Sequence, residues 1–166
     1  TIIHATAEVG RNMTPETEVF GGIDLASIEY KNASILSPKR DSIVIEPYIG
    51  YRREALDGTL NAEARVGVAV QTFDNAAYDD VVTPTFDAKV EWAPIGKNYT
   101  VFASTDTSMK ETLSRGVGSV IEQSFEVGGV VDVNDKFQIL GGFTGDYRIK
   151  NVSAAFGGGT ETDFTM

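Results

Sequence analysis

The 166 residues carry 14 basic and 24 acidic side chains, a formal charge of −10, which argues against nucleic acid as a partner because phosphate binding needs a basic stripe. The absence of cysteine excludes disulfides, Cys-ligated zinc, iron–sulfur clusters and thiol catalysis. One histidine, His4, leaves no set for a multi-His metal site or His-based catalysis, and no window of about 18 apolar residues predicts a membrane helix. No cofactor is expected, and 17 glycines with nine Phe, six Tyr and one Trp point to strands and tight turns.

The chain opens on Thr1 with no basic–apolar–small leader. Period-2 alternation, the mark of strands with two different faces, then recurs along it. The first run sets Ile3, Ala5, Ala7 and Val9 against His4, Thr6 and Glu8. The second covers Glu18 to Tyr30, and the third Ser42 to Arg53, with Ile43, Ile45, Ile49 and Tyr51 on one face. The fourth is the cleanest: Leu60, Ala62, Ala64, Val66, Val68 and Val70 alternate with Asn61, Glu63, Arg65, Gly67, Ala69 and Gln71. The fifth sets Phe86, Ala88, Val90 and Trp92 against Asp87, Lys89 and Glu91. The sixth runs from about Asn98 to Thr105. Thr107 to Arg115 is the one stretch with a helical spacing, and it runs into Gly116. The seventh, from about Gly118 to Val131, places Ile121, Phe125, Val127 and Val131 opposite Glu122, Ser124 and Glu126, with Gln123 interrupting the apolar face. The eighth holds Phe137, Ile139, Gly141, Phe143 and Tyr147 opposite Gln138, Thr144, Asp146 and Arg148, and a ninth begins near Thr160.

Short turns are expected at Met13–Glu16, Ala55–Gly58, Pro94–Asn98 and Val133–Lys136, where Pro, Gly, Asn and Asp supply turn geometry. Longer polar connections fall near 31–41, 74–84, 106–117 and 149–159. Short and long connections therefore alternate, as in an antiparallel meander with tight turns at one end. Several runs reach about 10 residues, the length a tilted strand needs to cross a bilayer. These features predict an all-β meander forming a transmembrane β-barrel. A soluble sandwich or barrel alternates in the same way with the faces exchanged, so parity alone does not choose between them.

On the barrel reading, Glu63, Arg65, Asp87, Lys89, Glu91, Glu122, Glu126 and Arg148 line a lumen. Their acidic excess favours cations, and their mixed signs also allow them simply to pair across strands. Tyr48, Tyr51, Trp92, Tyr99, Phe137 and Tyr147 are candidate rings for the two bilayer interfaces. Catalysis is not expected. Glu122 and Glu126 share a face but stand about 13 Å apart along a strand, too far for a retaining glycosidase pair. Asp79 and Asp80, with Asp74 nearby, offer oxygen ligands of the kind calcium takes, without EF-hand spacing. Gly157–Gly159 lacks the Lys and the helix of a phosphate loop.

From about Ala64 onward the chain resembles a family of outer-membrane β-barrel porins (the porin 2 type) often found beside exopolysaccharide loci. The resemblance is carried by Phe86–Pro94 (FDAKVEWAP), Tyr99–Ser104 (YTVFAS), Lys110-Glu111-Thr112, Phe125–Gly129 (FEVGG) and Leu140–Phe143 (LGGF). It implies a pore or export channel in the outer membrane of a Gram-negative cell, handling a secreted polysaccharide or small polar solutes. The implied partners are outer-membrane lipid and polysaccharide or export components. Family members are longer and close with an even strand number. Eight strands and part of a ninth, ending at Met166, lead to the expectation that residues 1–166 form a single, incomplete barrel domain. The alternatives are a β-rich surface or filament subunit and a soluble ligand-binding barrel.

Overall fold

The computed structural model describes residues 1–29, 41–76, 78–110, 117–134, 136–152 and 159–166. It contains nine strands and, among the described residues, no helix: β1 (Ile2–Thr14), β2 (Thr17–Ile28), β3 (Ser42–Ala55), β4 (Leu60–Phe73), β5 (Val81–Trp92), β6 (Tyr99–Lys110), β7 (Val117–Asn134), β8 (Phe137–Val152) and β9 (Gly159–Thr165). They form one sheet in chain order, each strand antiparallel to the next. β1 and β9 are its two edges, so the described sheet is not closed.

The strands run further than alternation alone suggests. β5 starts at Val81 rather than near Phe86, and β8 continues to Val152. Thr107–Lys110, the start of the possible helix, is strand. Thr105 and Thr107 hide the pattern there, because they place hydroxyls on a face that is apolar elsewhere. Tyr30, residues 31–40, Glu111-Thr112 and the first two glycines of Gly157–Gly159 lie outside the described residues.

Turn chemistry sets the ends of the hairpins. Between β3 and β4, Leu56, Asp57 and Gly58 all take positive φ (53°, 54° and 82°). The Thr59 N–H donates to the Leu56 carbonyl at 3.2 Å, and its hydroxyl does so at 2.8 Å. Gly58 tolerates this conformation without the Cβ penalty that Leu56 carries. At the next short turn the Lys97 N–H reaches the Pro94 carbonyl at 3.1 Å.

Register assigns the two faces. Val9, Ile23, Ile45, Val66, Phe86, Val101, Val127 and Phe143 share one face, and all are exposed. The buried side chains of the strands lie on the other: Phe20, Ser42, Tyr48, Ala69, Gln71, Thr83, Thr85, Val120 and Glu122. A single sheet buries one face only by curling toward it. Consistent with this, Thr6 of β1, Thr85 of β5 and Ser108 of β6 line one cavity of about 670 Å³. In a flat sheet β1 and β6 would stand roughly 24 Å apart, at about 4.8 Å per strand. The buried, concave face is therefore the polar one, and the apolar face is convex.

Glycines let the concave face pack. Gly50 pairs with Phe20 and Gly22 with Tyr48. A Cβ at Gly50 would lie 2.2 Å from the Phe20 ring, and one at Gly22 would lie 2.6 Å from the Tyr48 hydroxyl. Each ring thus lies across a neighbouring backbone that no other residue would leave open.

One seam departs from regular pairing. The β5–β6 ladder joins only Ala88–Trp92 to Val101–Thr105. Beyond Ala88 the backbone bonds give way to side chains. The Phe86 N–H donates to Thr107 Oγ1 (2.9 Å), and the Thr107 N–H donates to Asp87 Oδ1 (2.8 Å). Phe86 therefore directs its backbone groups toward β6. Pro84, two residues earlier, presents the same edge and has no N–H to give. Gln123 of β7 completes the patch. Its Nε2 donates to Thr105 Oγ1 at 2.6 Å, and its Oε1 lies 2.6 Å from Thr107 Oγ1. This accounts for the polar residue that interrupts the apolar face of the seventh run.

Candidate functional site

The candidate site is the concave polar face. All eight residues expected to line a lumen lie on it. Register pairs Glu63 with Lys89, Arg65 with Asp87, Asn61 with Glu91, and Glu122 with Arg148. Ser104 faces both Lys89 and Glu126.

Two arginines organise the first five strands. Arg52 Nε donates to Glu63 at 2.8 Å and its Nη1 to Glu18 at 2.9 Å, while Nη2 stands 3.7 Å from Glu8. Its guanidinium lies over the Phe20 ring at 4.5 Å, within the range of cation–π attraction. Arg65 ion-pairs with Asp87 and donates to Asp24 at 3.1 Å, with its guanidinium 4.9 Å from the Tyr48 ring. The Tyr48 hydroxyl donates to Glu8 at 3.1 Å and so links the two groups. Glu46 accepts from Thr85 Oγ1 at 2.8 Å.

A second group lies on β7–β9. Arg148 pairs with Glu122, whose side chain is 3 % exposed, and approaches Asp146 at 3.4 Å. Lys150 pairs with Asp163. Lys89 finds Glu91 at 3.7 Å on its own strand, because its cross-strand neighbour Glu63 is held by Arg52. Lys89, Glu63, Glu91 and Arg52 also line a second cavity of about 280 Å³. Glu126 is exposed opposite Thr144.

The candidate interface rings divide. Tyr51, Trp92, Tyr99, Phe137 and Tyr147 lie on the convex apolar face, where Trp92 and Tyr99 pack edge to face at 6.1 Å. Tyr48 does not join them; it is 5 % exposed on the concave face. The reason is parity: Tyr48 and Tyr51 are three apart and must point to opposite sides of a strand. The same parity could have found Arg52, Glu46, Glu18, Glu8 and Asp24, which sequence reading missed, because each alternates with an apolar run. The Asp80 carboxylate accepts the Phe73 N–H at 3.2 Å. Among the described residues no group of three His, Asp or Glu side chains is placed to hold a metal ion.

A long-stranded antiparallel meander with a charged concave face and an apolar convex face is the class that this geometry defines. The family model described as "Putative beta-barrel porin 2" matches residues 1–166, and the chain belongs to that family. No match was found among curated proteins or among solved structures.

Proposed function

We propose that this chain forms the wall of a water-filled pore in an outer membrane, passing small polar solutes with a preference for cations. One observation carries the reading: on a single sheet, the charged side chains are turned inward and the large apolar ones outward. A soluble ligand-binding barrel needs the reverse, since water would otherwise meet Val9, Ile49, Val66, Phe86 and Phe143 across the whole convex face. Lipid is the solvent that suits it. The lengths agree as well, since β1–β8 span 12 to 18 residues and a tilted strand needs about 9–11 to cross a bilayer.

The concave face supports transport rather than chemistry. Its ionic groups satisfy one another in fixed pairs and networks, and acids outnumber bases around both Arg52 and Arg65. Such a wall wets, repels anions and attracts cations. Polysaccharide export rests on the family resemblance alone. Phe20 and Tyr48 lie buried beneath Arg52 and Arg65, so they offer no open stacking surface to a passing sugar, and small solutes fit the face better.

Two measurements on the protein in its native membrane test the reading. It is expected in the outer-membrane fraction, with a gel mobility that shifts on boiling. In planar bilayers it is expected to give discrete, cation-selective conductance. A protein that fractionates without detergent and gives no conductance would overturn the proposal.

A further inference from the structure

The seam between β5 and β6 opens beside the large cavity. Thr85, Thr107, Ser108 and Met109 all line that cavity, and all belong to the stretch where the backbone ladder is missing. Among the described residues the charged lining groups are the carboxylates of Asp24 and Glu46, with His4 beside them, and Asp24 is held by Arg65 at 3.1 Å. Ile28, Val44, Ala69 and Met109 add apolar wall. The Ser108 hydroxyl is buried with no hydrogen-bond partner among the described residues. On the convex side the gap is covered by the Thr105–Thr107–Gln123 patch, not by backbone bonds. We propose that this seam is a lateral portal: the cavity takes the head of a cationic amphiphile, and the alkyl chain passes between β5 and β6 to the apolar face.

Three features fit this use. Arg65 is shared by Asp24 and Asp87, so with Glu46 three carboxylates stand against one guanidinium, and that excess selects a positive head over an anionic one. Pro84 keeps the edge of β5 from zipping to β6, so opening the gap breaks side-chain contacts and leaves the sheet's other ladders intact. Asp87 acts as a latch, accepting from the Thr107 N–H through one oxygen and from Arg65 through the other. The portal rests on the membrane-pore reading.

The native chain has no cysteine, so an engineered pair is unambiguous. Extending the Ala88–Thr105 register places Thr85 opposite Ser108 across the seam. The Thr85→Cys/Ser108→Cys protein, reconstituted in phosphatidylcholine vesicles, is exposed to dodecyltrimethylammonium carrying a diazirine at the chain end. Labelled residues are then mapped by peptide mass spectrometry. In the reduced protein, labelling is expected at Pro84, Phe86, Thr107 and Met109. Oxidation is expected to lower it at least fivefold, and reductant to restore it. Pro84→Val, which returns an N–H to the edge, is expected to lower the same labelling without any cross-link. Equal labelling of those residues in the oxidised and reduced forms, in a protein that inserts and conducts, overturns the portal and leaves the pore standing. A protein that never inserts into the vesicles overturns both.

Discussion

Arg52 holds three carboxylates from three other strands, and its loss leaves Glu8, Glu18 and Glu63 facing one another. Because its side chain is 41 % exposed, water screens part of that repulsion. Arg52→Ala is expected to cost about 1 kcal/mol of stability, read as a lower thermal midpoint for the heat-dependent gel shift. Gly50→Val acts by contact instead of charge, because its Cβ would enter the Phe20 ring, 2.2 Å away. Displacing that ring is expected to cost about 1–3 kcal/mol in the same assay. The concave-face position of the eight charged residues is legible because they alternate with apolar neighbours along their runs, Gln123 beside Glu122 being the exception. Tyr48 departs from the interface expectation because strand parity, not aromatic character, decides which face a ring takes. The cross-strand partners of Arg52 were not legible, since register depends on which runs pair and by how much they are offset.

At the scale of the element, the β5–β6 seam is where regular pairing fails. The Thr107 N–H points toward β5, so by parity the Met109 N–H points into the gap. The Ala103 N–H lies within the short ladder. Hydrogen exchange in detergent micelles or lipid is expected to be at least tenfold faster at Met109 than at Ala103. Gln123→Leu is expected to speed exchange at Thr107 as well, because it removes a partner that holds the Thr107 hydroxyl. The strands and short turns were legible from alternation and from Pro, Gly, Asn and Asp. The seam was not, because a proline in a strand says that one edge is unpaired without saying which neighbour that edge faces. Residues 106–108 read as part of a connection for the same reason: beyond Thr105, side-chain groups do the work that backbone groups do elsewhere.

For the whole molecule, the open question of the sequence was which face turns inward, and periodicity is blind to it. Curvature answers it, and curvature comes from packing: rings laid over glycines and guanidiniums laid over rings, all on one side. The ionic balance of the inward face predicts a cation-to-anion permeability ratio above one. Glu91→Gln with Glu126→Gln is expected to move the reversal potential in a salt gradient toward zero. The order of the sheet carries a further consequence, for how the chain reaches its native state. Every ladder joins strands adjacent in sequence, so contact order is low for an all-β protein and no long loop must close before pairing begins. Hairpins nucleate at tight turns within microseconds, and each then offers an edge to the next. Three of the four short-turn hairpins gain 12 or more residue pairs as they zip, whereas β5–β6 gains five. That hairpin is therefore the weakest nucleus in the meander, and β5 and β6 are set in place by β4 and β7 more than by each other.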